Sequence, residues 1–186
     1  MLEIRWHSRA GQGAVTGAKG LADVFAKTGK EVQAFAFYGS AKRGAAMTAY
    51  NRVDNDEILN YEKFMNPDYV LVIDPGLVFI TNICENEKPE TQYIITTHLS
   101  KGELIERKPE LRGKKVHILD CIKISLETIG KSVPNAPMLG ALIKVSGELE
   151  LDFFLEAFKK VLGKKLPQSV IDANMVAITR AYNEVS

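Results

Sequence analysis

The stretch that decides the fold runs from Glu31 to Val53: EVQAFAFY (31–38), GSAKRGA (39–45) and AMTAYNRV (46–53). The outer pieces read as strands, the first carrying Phe35, Phe37 and Tyr38, the second closing on an Asp54-Asn55 turn. Only the short segment Gly39 to Ala45 separates them. A parallel crossover needs a dozen or more residues and usually a helix, so two strands joined this closely run antiparallel if they pair. The sheet is therefore mixed.

Working outward, Leu2 to His7 reads as a first strand, Ser8 to Gly13 as a loop, and Ala14 to Thr28 as a helix. Val15, Ala18, Leu21, Ala22 and Phe25 recur at helical spacing there, and Gly29 stands where a left-handed cap is wanted. Tyr69 to Asp74 is a continuous apolar run closed by Asp74-Pro75-Gly76, as a strand buried on both faces requires. Gln92 to Thr97 and Val116 to Asp120 have the same character. Beyond Asp120 the pattern turns helical, at Ile122 to Ile129, Pro137 to Val145 and Phe153 to Leu162. Asp152 is the expected N-cap and Gly163 the terminator of the third of these, and a last helix begins near Pro167. Strands alternating with helices, then helices alone, predict an α/β chain. The expected architecture is a three-layer α/β/α sandwich with a mixed, mostly parallel sheet and a helical C-terminal third, residues 1–186 forming one domain.

Composition narrows the function classes. Of 186 residues, 46% are hydrophobic and 25% charged, and a formal net charge of +1 without a Lys/Arg block argues against a nucleic-acid partner. The apolar runs are strand-length, which argues against a membrane span, and the first residues do not read as a signal peptide. A cytoplasmic location is the expectation. Cys84 and Cys121 form no CxxC pair, so both read as buried thiols rather than cluster ligands. His7, His98 and His117 share no metal-ligand spacing and read as strand-end or surface residues.

The strongest local feature is AGQGAVTG (10–17), set between a strand and a helix. Glycines there permit a tight turn and let backbone N–H groups approach an anion at the positive end of the helix. The dinucleotide fingerprint is incomplete: Thr16 occupies the third small-residue slot, and the second strand ends in Phe37-Tyr38 with no carboxylate for a ribose. The triphosphate loop fails outright, because Lys19-Gly20 reverses the required order. In the link between the two antiparallel strands, Tyr38, Gly39, Lys42, Arg43 and Gly44 could complete an anion site or grip a partner's carboxylates; a solvated turn is the alternative. In PNAPMLGA (134–141), Asn135 joins the candidate surface, although close helix packing accounts for the small residues there. The anion- or partner-binding candidates are thus Gly11, Gln12, Gly13, Tyr38, Gly39, Lys42, Arg43, Gly44 and Asn135. Asp74 ends a central strand, where open α/β sheets bind ligands, but Asp-Pro-Gly reads first as a turn. No residue reads as catalytic and no group of residues as a metal site.

Taken in order, RAGQGAVT (9–16), QAFAFYGSAKRGA (33–45), NRVD (51–54), PNAPMLGA (134–141) and the closing Leu166-Pro167 helix with Ala173-Asn174 cover nearly the whole chain. This set resembles the gamma subunit, or the corresponding domain, of the pyruvate and 2-oxoacid:ferredoxin oxidoreductases. The tyrosine-containing second loop and Met138-Leu139-Gly140-Ala141 look more like the pyruvate branch than the 2-oxoglutarate branch. The resemblance implies an anaerobic enzyme that oxidatively decarboxylates a 2-oxoacid on thiamine diphosphate and Mg. Electrons pass through 4Fe–4S clusters to ferredoxin or flavodoxin, and the acyl group passes to coenzyme A. This chain has neither the cluster cysteines nor a Gly-Asp-Gly…Asn thiamine signature, so those groups are expected on sister alpha, beta and delta-type subunits. What remains for it is a surface that closes the active site and a cradle for coenzyme A: backbone N–H groups of Gly11, Gln12 and Gly13, assisted by Lys42 and Arg43. Two rivals stay open, a free-standing nucleotide-binding protein and a pure assembly module.

Overall fold

The structure, a computed structural model, describes residues 1–38, 44–62, 66–163 and 166–186. Six strands form one sheet in the order β2-β3-β1-β4-β5-β6. They are β1 (Leu2–Arg9), β2 (Glu31–Tyr38), β3 (Ala46–Asp54), β4 (Tyr69–Val72), β5 (Gln92–Thr96) and β6 (Lys115–Leu119). β3 runs antiparallel to both β2 and β1, and β1, β4, β5 and β6 are mutually parallel. The short link after Tyr38 therefore has the consequence expected of it, and the mixed, mostly parallel sheet is borne out.

Helices cover both faces. On one lie α1 (Ala14–Ala26), α4 (Cys121–Ile129), α5 (Asn135–Ser146), α6 (Leu151–Leu162) and α7 (Gln168–Glu184), packed on Ile4, Trp6, Leu71, Ile73 and Ile94. On the other lie α2 (Leu77–Ile80), α3 (Lys101–Arg107) and a 3-10 turn at Pro109–Leu111, packed on Val70, Val72, Tyr93 and Ile95. Residues of β4 alternate between the two cores, which is why its sequence is apolar without a break.

Several boundaries move for identifiable reasons. β1 extends to Arg9 because β3 supplies a partner all the way, Arg9 lying opposite Ala46. α1 stops at Ala26, its last turn tightening as the Thr28 N–H and hydroxyl both donate to the Phe25 carbonyl, before Gly29 turns left-handed at φ +81°. α6 begins one residue before Asp152, with Glu150 as its N-cap; Asp152 sits inside the first turn, where its charge still suits the helix dipole. Gly163 does follow that helix, in a right-handed conformation. α3 was not anticipated. Its Ser100 side chain accepts from the Glu103 amide while Glu103 accepts from the Ser100 amide, a capping box written in the sequence as S-x-x-E.

One buried polar bridge ties the sheet to α1. Asn51 on β3 accepts from Trp6 Nε1 (2.9 Å) and donates through Nδ2 to the Ala18 carbonyl (2.7 Å). It locks β1, β3 and α1 in one register, which places the loop between β1 and α1.

Candidate functional site

The glycine turn begins where β1 ends. Gly11 and Gly13 have φ of +97° and +87°, conformations that disfavour any side chain. Gly13 has a second reason to lack one: a Cβ there would fall 2.9 Å from the Asn135 side chain. Gly11 is exposed, and a Cβ on it would meet nothing within 4 Å. The turn is thus covered from one side by α5 and open on the other.

α1 starts at Ala14 with no side-chain cap, and its first helical amide bond runs from Gly17 to the Gly13 carbonyl (2.8 Å). The amides of its first turn are donors of the kind that hold anions. The Gln12 amide is not among them. It closes the turn on the Arg9 carbonyl at 3.2 Å, which corrects the expectation that it would face a phosphate. The Gln12 side chain is also turned inward: Oε1 accepts from the Arg9 amide (2.8 Å) and Nε2 donates to Asp74 Oδ2 (2.6 Å). Gln12 shapes the turn rather than lining it.

The structure brings the remaining described candidates, Gly44, Asn135 and Tyr38, to the same end of the sheet. Gly44, with φ +78°, offers its carbonyl to Arg9 Nη1 (3.2 Å), and the Ala10 amide donates to the Ala45 carbonyl (3.2 Å), so the end of the second loop is fastened to the start of the first. Asn135 opens α5 against Gly13, and its Oδ1 is buried without a hydrogen-bond partner among the described residues. Tyr38 lies one strand further out, opposite Met47, and 65% of it is exposed. With Phe37 and His7 it lines an open groove of about 290 Å³ whose walls include Thr48, Leu77 and Glu85. The expectations for Gly39, Lys42 and Arg43 lie outside the described residues.

Two residues outside the candidate set join the site, Arg9, which the sequence shows only as part of the glycine motif, and Asp74, which reads first as a turn residue. Arg9 Nε donates to Asp74 Oδ2 at 3.2 Å, and Asp74 Oδ1 accepts from the Gly76 amide at 2.9 Å. Asp74 does form the expected turn, and it also reaches across to the glycine loop. The only sequence hint was its place at the end of a central parallel strand. Elsewhere, His7 proves buried within β1 rather than at the surface, His98 is exposed, and His117 is half-buried beside Gln92 Oε1, its pKa lowered by burial. Burial pushes the Cys121 thiol up to about 12; Cys84 is only half-buried, and packs against the opposite core from Cys121. Among the described residues no group of three His, Cys, Asp or Glu side chains converges as a metal site would, and no helix is long and apolar enough to cross a membrane.

Fold and site define an α/β protein that presents a glycine turn at the carboxyl ends of parallel strands, tethered to a second loop. The chain belongs to the pyruvate ferredoxin/flavodoxin oxidoreductase family, whose pattern matches residues 3–184. It is 40% identical over 183 residues to pyruvate synthase subunit PorC of Thermotoga maritima, spanning 98% of this chain and 94% of that one. It is 38% identical over 184 residues to the pyruvate/ketoisovalerate oxidoreductases common subunit gamma of Pyrococcus furiosus, covering 99% and 97% of the two chains. The crystal structure of the pyruvate oxidoreductase subunit PORC of Thermotoga maritima superposes with a TM-score of 0.82 at 37% identity, covering 100% of this chain and 97% of that one. A 2-oxoglutarate:ferredoxin oxidoreductase of Magnetococcus marinus, solved with 2-oxoglutarate, coenzyme A and succinyl-CoA bound, shares the fold. There the TM-score is 0.74 at 17% identity, over 98% of this chain and 30% of the larger one.

Proposed function

We propose that this chain is the gamma-type subunit of a pyruvate:ferredoxin or flavodoxin oxidoreductase, residues 1–186 acting as one domain that closes the active site and cradles the phosphates of coenzyme A. The observation that carries the reading is end-to-end similarity to PorC-type subunits, combined with a glycine turn left open at a helix start. The cradle is narrower than the sequence suggested: amides of Gly11, Gly13 and the first turn of α1, with Lys42 and Arg43 supplying cations from the second loop. Coenzyme A would bring the thiol that takes up the acyl group; this chain's part is to hold and orient it. Thiamine diphosphate, Mg and the 4Fe–4S clusters belong on alpha, beta and delta-type sister chains. A cluster needs four thiolates, and the two cysteines here pack into cores on opposite faces of the sheet. A branched-chain 2-oxoacid is a second substrate reading, favoured by the name of the Pyrococcus relative, which joins pyruvate with ketoisovalerate.

Native purification tests the class. The chain should co-elute with a larger, iron-containing, thiamine-dependent assembly that reduces a low-potential acceptor when pyruvate is added; a lone, colourless monomer would overturn it. The cradle is tested in the assembled enzyme by Lys42→Ala/Arg43→Ala. Losing charge-assisted contacts worth about 1.5–3 kcal/mol each should raise the KM for coenzyme A about tenfold or more. An unchanged KM with intact assembly removes coenzyme A from these loops; loss of assembly points instead to a module that binds neighbouring polypeptides.

A further inference from the structure

After β1 the chain passes to the helices of one face, and after β4 it passes to α2 on the other. The gap between the carboxyl ends of β1 and β4 is therefore the topological switch point of the sheet, the place where open α/β folds receive ligands. Here that gap is spanned by side chains. Asp74, two residues beyond the end of β4, has both carboxylate oxygens committed: Oδ1 to the Gly76 amide (2.9 Å), Oδ2 to Gln12 Nε2 (2.6 Å) and Arg9 Nε (3.2 Å). Its turn role accounts for the first oxygen and not for the second.

Arg9 uses the fork of its guanidinium in two directions, Nε toward Asp74 and Nη1 toward the Gly44 carbonyl (3.2 Å). Gln12 is likewise used at both amide atoms, Oε1 on the Arg9 amide and Nε2 on Asp74. A glutamate at position 12 would set two carboxylates against each other, and an aliphatic residue would leave Asp74 one donor short. The result is a closed set of bonds joining three segments: the glycine turn, the start of β3 and the end of β4.

We infer that Asp74 and Arg9 are positioning residues that make the two motif loops one mechanical unit, Asp74 holding the glycine turn through Gln12 and Arg9 transmitting that hold to Gly44. Arg9 also pairs the Asp74 charge, so that an anion arriving at the turn does not face a bare carboxylate. The inference rests on reading the turn as the coenzyme A cradle, and the two can fail separately.

Asp74→Asn is the informative variant. Its single side-chain oxygen can keep the bond to Gly76, while its amide meets the Gln12 and Arg9 donors as another donor, so the turn survives and the strut is cut. In the assembled enzyme, hydrogen exchange is read in peptides covering residues 9–16 and 44–48, alongside the KM for coenzyme A, the KM for the 2-oxoacid and kcat. Exchange should quicken several-fold in both segments together, and the KM for coenzyme A should rise about tenfold with the 2-oxoacid KM within about twofold, the split that a positioning role for one substrate predicts. Exchange unchanged in both segments, or raised only around Asp74 itself, overturns the strut. Faster exchange in both with an unchanged KM for coenzyme A leaves the strut standing and removes coenzyme A from the turn. Should Asp74→Asn fail to assemble, Arg9→Lys provides the same reading. A lysine keeps the charge but lacks the fork that reaches Asp74 and Gly44 at once, so segment 44–48 should loosen relative to the parent enzyme; identical exchange in that segment overturns the coupling.

Discussion

Gly11 and Gly13 look alike in the sequence and differ in what constrains them. Gly11→Ala meets only the backbone cost of a left-handed residue, about 1–2 kcal/mol. Gly13→Ala meets that cost and a collision with Asn135 as well, so its urea midpoint should fall clearly further. Equal losses would mean that α5 does not press on the turn. At Asn51 the constraint is hydrogen bonding. Asn51→Leu leaves Trp6 Nε1 buried without its partner and takes from the Ala18 carbonyl the second of its two donors, the helical Ala22 amide remaining, an expected loss of about 2 kcal/mol in denaturant unfolding of the purified protein.

Between elements, α5 approaches the α7 backbone closely. A Cβ at Gly140 would stand 2.1 Å from the Ile178 carbonyl oxygen, a backbone atom that cannot swing away. Gly140→Ala therefore has to separate the two helices, at a cost of about 3 kcal/mol by thermal unfolding, whereas a helix free of neighbours would gain from the same change. The run of small residues after Pro137 is thus a packing requirement, as its composition suggested. At α3, Ser100→Ala removes the capping-box acceptor and should cost about 1 kcal/mol, a loss that Ser100→Asp restores. β2 and β3 show how an element's direction follows from the length of its connection, with no reference to any side chain.

Across the whole molecule, carboxylates at or near the surface contribute to the acid side of the pH dependence. Hydrogen bonds hold Asp54, Glu103, Glu110 and Glu127 below the ordinary carboxylate range, the last of these through the Arg180 guanidinium. Because their folded pKa values are lowered, the stability they contribute is present above the unfolded carboxylate range, about pH 4, and is lost as pH falls through the folded values. Glu103, Glu110 and Glu127 are exposed and Asp54 only half-buried, so the decline in urea midpoint from pH 7 to pH 3 should be modest and should shrink further in high salt.

The order of the strands and of the helices other than α2 and α3, the antiparallel pair and the glycine turn were legible in the chain because each rests on local rules: residue period, connection length and the conformations open to glycine. The family resemblance added the sister subunits that no local rule could supply. What the sequence left hidden was distance between remote positions. Arg9, Gln12 and Asp74 form one bonded unit only because β4 lies beside β1, and nothing near Asp74 in the chain announces that its second oxygen has partners sixty residues away. The Gln12 amide read as a ligand donor until the turn closed on Arg9, and only the pairing of the strands shows that His7, Arg5 and Arg52 are buried. Local conformation is set by each residue and its neighbours; which polar groups meet is set by the pairing of strands far apart in the chain, and only the folded molecule makes that choice.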